Sequence, residues 1–169
     1  MEVEKTWDDK TDAKIKTLHP KLREEGKTIF LEIEKALTGR AICRIAYAIR
    51  TFAEQDALYA QGRTTSGKIV TNAKGGQSYH NYGLALDIVL LVDKDKNGTF
   101  ESASWETNVD FDGDGKSDWQ EIVAIFKRYG WEWGGDWKFS DKPHFQKTFG
   151  YSIAQLQELN KKHEGYVTI

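Results

Sequence analysis

SYHNYGLALDIVLLV, residues 78–92, decides how this chain folds. Its second part, LALDIVLLV (84–92), is an apolar run of strand length that begins just after Gly83 and ends at an acidic stretch, the pattern of a buried β-strand. Asp87 interrupts that run. An unpaired carboxylate inside a buried strand is unfavourable by several kcal/mol unless a cation or hydrogen-bond donors compensate it. His80 lies just upstream among turn residues and aromatics, where a side chain can be held in a cleft. A second string, DKPH (141–144), sets Asp141 three residues before His144, and Pro143 biases Lys142 toward an extended backbone, so acid and histidine share one local geometry. A metal would compensate Asp87; so would an ion pair with Arg50, and spacing alone leaves both open.

Working outward, AICRIAYAI (41–49) predicts a second strand. Thr51 with Glu54 three residues on forms a capping box that opens the helix FAEQDALYAQ, closed by Gly62, and so puts Arg50 just before a helix N-terminus. Ile15, Leu18 and Leu22, then Ile29, Phe30, Ile33 and Leu37, keep helical spacing and predict two helical pieces broken near Pro20 and Gly26. His19 is expected inside the helical region and His163 in a polar tail. A Gly-, Thr-, Ser- and Lys-rich loop runs from Gly62 to Tyr79, long enough to suggest function. WQEIVAIFKRY (119–129) is an amphipathic helix ended by Gly130, the aromatic WEWGGDWKFSDKPHFQ leads into a short strand near His144–Gln146, and Ser152 caps a last helix. Trp131, Trp133 and Trp137 read as core or cleft wall.

At 169 residues the chain is sized for one domain, on the usual figure of roughly 100 to 200 residues each. Its lone cysteine, Cys43, excludes an intramolecular disulfide framework. No stretch approaches the roughly 18 apolar residues of a membrane span, and the opening MEVEKTWDDKTDAKIK is too charged for a signal peptide. Synthesis in the cytoplasm with release by lysis, or a mature secreted form, is therefore expected. The net charge of -2 argues against a nucleic-acid partner held by phosphate neutralisation. That charge is uneven: residues 93–121 carry nine acids against three lysines, leaving the remainder mildly basic.

Within this acidic segment Asp110, Asp112, Asp114, Gly115 and Glu121 fit the calcium-loop pattern D-x-[DN]-x-[DN]-G-x5-E, with Lys116 offering a backbone carbonyl and Asp118 a water-mediated contact. Asp93, Asp95, Asn97 and Gly98 begin a second such loop, but Ser104 stands where the bidentate acid belongs. A helix follows the first loop and none is evident before it, so a full helix-loop-helix hand is not expected.

The strings SYHNYGLALD and DKPH together, with RTFAEQDALYAQGRT, IVTNAKGGQSYHNYGLALDI and WGGDW, resemble the zinc D-Ala-D-Ala carboxypeptidase and L-alanyl-D-glutamate peptidase family, which includes VanY-type enzymes and phage endolysins. The likeness extends over roughly residues 15–150. It implies His80, Asp87 and His144 as zinc ligands and Asp141 as catalytic base. Arg50, Gln55 and Ser78 fall on the family's substrate and oxyanion positions. Ala48-Ile49 stands where relatives often carry Gly-Tyr, a change in one pocket wall.

The expectation is thus an α+β domain over 1–169: a small antiparallel sheet bearing the zinc site with helices packed on it, a hedgehog/D-Ala-D-Ala peptidase-like fold, and a calcium-binding insertion at 93–121. The expected activity is zinc-dependent hydrolysis of peptidoglycan stem peptides at the L-alanyl-D-glutamate bond, by a monomer acting on the cell wall with neither nucleic acid nor membrane as partner. A D,D-carboxypeptidase is the alternative within the class. A non-catalytic metal-stabilised binding module, or a calcium-dependent adhesion domain, is the alternative outside it, and the presence of Asp141 argues against an inert module.

Overall fold

A computed structural model describes residues 5–39, 41–161 and 165–169. The apolar run becomes strand β2 (Ala85–Val92), the centre of a five-stranded antiparallel sheet among these residues. One edge of β2 pairs along its length with β1 (Ala41–Tyr47), from Ala41↔Val92 to Tyr47↔Asp87. A bulge between Ile45 and Tyr47 shifts the register there, as bulges near functional sites commonly do. A strand has two edges, so β3 (Ser102–Ser104) and β5 (His144–Gln146) must share the other: β5 takes Ala85–Asp87 and β3 takes Leu90–Val92. The two-residue β4 (Glu132–Trp133) completes the sheet beyond β5.

Side chains alternate across a strand, and the pairings divide the sheet's faces cleanly. Leu86, Ile88 and Phe145 share one face, wholly buried. Asp87, His144, Tyr47 and Gln146 share the other. The core lies on the first face. There α4 (Asp118–Arg128) contributes Phe126, which stacks on Phe145 at 4.1 Å between ring centroids and meets Phe30 and Trp131 edge-on. Phe30 comes from α2 (Pro20–Ala36), whose buried stripe also includes Leu22, Ile29 and Ile33. The short α1 (Asp9–Ile15) sits against β1, where Asp8 accepts from Arg44 at 2.7 and 3.0 Å and from Thr11 at 2.8 Å.

Two helical expectations change. Pro20 begins α2 at its first turn, where a missing N–H costs nothing, but Gly26 does not break the helix. A Cβ at Gly26 would stand 3.0 Å from Leu18 Cδ1, so the glycine permits close packing that outweighs its propensity deficit of about 1 kcal/mol. His19 caps α2 instead of lying within it, its Nδ1 accepting from Lys21 N while Nε2 binds the Val167 carbonyl at 2.7 Å. His163 lies outside the described residues. The predicted capping box forms at α3 (Phe52–Ala60), and Ser152 caps α5 (Ile153–Asn160) as expected, there in a capping box with Gln155. No helix among the described residues is long and apolar enough to cross a membrane.

Candidate metal centre

Ser78 caps a short 3-10 turn, Tyr79–Tyr82, by accepting from His80 N, and Gly83 ends that turn in the left-handed conformation at φ 71°. A Cβ on Gly83 would also collide with His19 N at 2.5 Å, so the turn that aims His80 at the sheet requires glycine. The same turn locks Arg50: Arg50 N donates to the His80 carbonyl, and Asn81 donates to the Arg50 carbonyl. On the other side Gly134 lets the backbone of Asp141 approach, Asp141 N donating to Gly134 O at 2.8 Å. Trp133 Nε1 holds the Lys142 carbonyl, and His144 N closes the turn on Asp141 O.

These elements bring His80, Asp87 and His144 together, their ligand atoms within 4.8 Å of one another. His144 Nδ1 lies 3.1 Å and His80 Nε2 3.3 Å from Asp87 Oδ1. Both rings are buried. Burial opposes ionisation of Asp87, yet hydrogen bonding from His144 and the charge of both histidines hold its carboxyl far below the usual range. Burial would lower the His144 pKa, but the Asp87 hydrogen bond and charge, helped by Gln146, raise it. The cluster therefore concentrates its electrostatics on one point.

Whether a metal fits can be tested on His80. Its Nδ1 binds the Ala48 carbonyl at 2.6 Å and must donate there, so in the neutral ring Nε2 presents a lone pair. That Nε2 is buried and has no hydrogen-bond partner among the described residues. A cation between the two imidazoles and the carboxylate would satisfy it, and the donor set suits a transition metal with positions left open.

Asp141 stands beside the cluster, half-exposed, with Oδ2 4.0 Å from His144 Nδ1. Burial and then the charge of Asp87 raise its pKa, against the opposing pull of His144, His80 and Arg50. Arg50 reaches Asp87 Oδ2 and Gln55 Oε1, each at 3.4 Å, and its guanidinium lies over the Tyr47 ring. The ion pair raised as an alternative to a metal is thus present, but long. Gln55 is fully buried, its amide N donating to Ala73 O at 2.9 Å, which ties the Gly62–Tyr79 loop to α3. Trp137 leans on His144 at 5.2 Å and Trp133 packs against the core, while Trp131 is buried.

In the acidic segment two further groups could hold a cation: Asp110, Asp112 and Asp118, and Asp112, Asp114 and Glu121. Asp118 is wholly buried; its Oδ1 accepts from Phe111 N, while Oδ2 has no partner among the described residues, nor do Asp112 Oδ2 and Glu121 Oε2. Burial and the charges of Asp112, Asp110 and Asp114 push Asp118 up to about 6. Partial burial, a hydrogen bond shared with Asp114, and nearby charge push Glu121 up to about 8. Lys116 N donates to Asp114 Oδ1. In the Asp93–Ser104 loop both Asp93 oxygens are already met by Asn97 N and Gly98 N, and Ser104 belongs to β3.

Two supporting groups had no motif to reveal them: the Ala48 carbonyl behind His80, and Gln146 behind His144, whose Oε1 lies 2.8 Å from His144 Nε2. Period-two alternation along the strand was the available signal for Gln146.

Comparison with known proteins bears on residues 71–147, which match the D-alanyl-D-alanine carboxypeptidase family. The peptidoglycan L-alanyl-D-glutamate endopeptidase CwlK of Bacillus subtilis (strain 168) is 53% identical over 103 residues, covering 60% of this chain and 58% of that protein. The matching stretch thus spans little more than half of that relative's length. The similarity to the D-alanyl-D-alanine carboxypeptidase family falls on a segment that contains His80, Asp87, Asp141 and His144 together.

Proposed function

We propose that the protein is a zinc-dependent peptidoglycan peptidase that hydrolyses stem peptides at the L-alanyl-D-glutamate bond. The observation that carries this reading is the convergence of two buried imidazoles and one carboxylate beside the half-exposed Asp141. His80 through Nε2, Asp87, and His144 through Nδ1 would hold the zinc. Zinc in such a site supplies Lewis acidity, polarising a carbonyl and lowering the pKa of a water toward about 7.

The chain's own residues do the rest. Asp141 takes a proton from the attacking water and passes it to the departing amine, so that the C–O bond forms and the C–N bond breaks with the proton ending on nitrogen. Arg50 binds a stem-peptide carboxylate: its contacts to Asp87 and Gln55 are long enough to exchange for a bidentate partner, and its backbone is fixed by the His80–Asn81 turn. Gln55 and Ser78 serve the substrate side by holding Arg50 and His80 where they act. The unit is read as one peptidase body, a monomer working on the wall, with 93–121 inserted between two ligand-bearing strands.

The name of the matching family favours a second reading, removal of a terminal D-alanine. Mass spectrometry of muropeptides after digestion separates the two. Release of peptides beginning at D-glutamate supports the endopeptidase, loss of one alanine supports the carboxypeptidase, and intact muropeptides refute both. Using substrates with the glutamate carboxylate amidated in the same assay tests Arg50: Arg50→Ala should weaken cleavage of the free-acid substrate and add little to the loss already caused by amidation.

Calcium completes the proposal. Asp110, Asp112, Asp114, Glu121, the Lys116 carbonyl and Asp118 would surround it, and Asp118 supplies a buried oxygen that otherwise lacks a donor. Millimolar calcium should raise the melting temperature of zinc-loaded protein, and Glu121→Gln should blunt the rise, because the twelfth loop position supplies two oxygens. The sign with pH follows from Glu121. Its folded pKa of about 8 exceeds the unfolded value of about 4.3, so the calcium-free fold loses stability as pH rises across that window. The calcium gain should therefore be larger at pH 8 than at pH 5. Identical melting curves with and without calcium would sink this part.

A further inference from the structure

His144 presents its two ring nitrogens to different surroundings, and the position of its proton decides whether the ring can hold a cation. Nδ1 faces Asp87 at 3.1 Å, inside the cluster, and Nε2 faces Gln146 Oε1 at 2.8 Å. Gln146 is buried, two residues along β5 and so on the same face of the sheet. An amide can offer a ring either its oxygen or its nitrogen. Here the far side of the amide settles which. Gln146 Nε2 lies 3.4 Å from Oε2 of Glu132, its cross-strand neighbour on β4, and a carboxylate only accepts. The NH2 group therefore faces Glu132 and the carbonyl faces His144, where it accepts the Nε2–H. In the neutral ring Nδ1 is then left with its lone pair pointing into the cluster.

We infer that Gln146, oriented by Glu132, is a positioning residue that fixes His144 in the one tautomer able to bind the cation through Nδ1. The inference rests on the zinc reading above. His80 reaches the same condition through a backbone carbonyl, that of Ala48, which side-chain replacement does not remove. Gln146 is the corresponding side-chain device on the opposite ligand. It differs from Ser78 and Gln55 in acting on the electronic state of a ligand as well as on its place. Partners of this kind behind a metal-bound imidazole set both ring orientation and ligand basicity.

The test is zinc affinity of the full chain, by competition with a chromophoric chelator, together with the absorption spectrum of the Co2+-substituted protein. Gln146→Met keeps length and removes the acceptor; it should raise the zinc Kd about 10- to 100-fold and alter the cobalt bands. Gln146→Glu retains an acceptor facing the ring and should restore affinity close to that of the parent. Ring 15N shifts of the zinc-loaded parent should show His144 protonated at Nε2 and metal-bound at Nδ1, a measurement that needs no variant to fold. Parental zinc affinity and an unchanged cobalt spectrum in Gln146→Met, a loss in Gln146→Glu equal to that in Gln146→Met, or a metal-bound Nε2 on His144 would each overturn the inference while leaving the zinc peptidase intact. A parent chain that binds no zinc would overturn both.

Discussion

Asp141→Asn protein should retain its zinc and lose about 100-fold or more in turnover, the scale on which removal of a general base is felt. The expectation depends on two distances to one atom. His144 Nδ1 lies 3.1 Å from Asp87 Oδ1 and 4.0 Å from Asp141 Oδ2, so Asp87 is inside the cluster and Asp141 beside it. The amide of asparagine fills the same space and accepts hydrogen bonds, but it cannot take a proton near neutral pH. A raised pKa, caused first by burial and then by Asp87, suits the carboxylate for receiving a proton and releasing it again. Because Asp141 holds its turn through backbone contacts to Gly134 and His144, the replacement should leave the melting temperature of the zinc-loaded protein little changed. Steady-state kinetics on a purified muropeptide checks it. Turnover near that of the parent, or a parallel loss of bound zinc, would remove Asp141 from the role of base.

The second large effect is on the metal itself. Purified parent should carry one zinc per chain by elemental analysis, and His80→Ala and His144→Ala should each carry almost none after dialysis. Each substitution would leave two of the three proposed ligands, and catalytic zinc sites use three protein ligands. The losses should also differ in kind. Removing His144 takes away the ring nitrogen nearest to Asp87 and leaves a mostly buried carboxylate with only the long Arg50 contact and His80. Removing His80 takes away a ring whose Nε2 lies 3.3 Å from Asp87 Oδ1, a longer contact than that of His144, so the metal-free fold should suffer less. Full zinc occupancy in both variants would refute the assignment.

Most of this site could be read from the chain because its parts lie in short strings. SYHNYGLALD contains the capping serine, the first histidine, the glycine that ends the turn and the partly buried aspartate, while DKPH holds the other two groups. Apolar continuity revealed β2, and capping chemistry located α3 and α5. What escaped depends on tertiary contact. Gly26 looks like a helix breaker until Leu18 is seen against it, and β4 is two residues long, too short for any periodicity to register. His19 could be placed only by its bond to Val167, a partner far along the chain. The acidic segment was legible as a pattern of spaced carboxylates, but the complete burial of Asp118 was not, since it follows from the way α4 begins at that loop.

Asp87 and His144 are 57 residues apart in sequence, and the acidic segment 93–121 lies entirely between them. A cation held by both is therefore a reversible crosslink that closes a long loop. The entropy of closing a flexible loop grows as the logarithm of its length, each halving being worth about 0.6 kcal/mol. If order within the segment halves the freely moving length, the crosslink forms about threefold more readily. The converse holds by linkage, since closing the loop confines the segment and lowers the entropy still to be lost when it orders. The acidic segment is in this sense a spacer, and its length and stiffness help set how readily the two halves of the site find one another during folding, with no contact between the segment and the cluster needed.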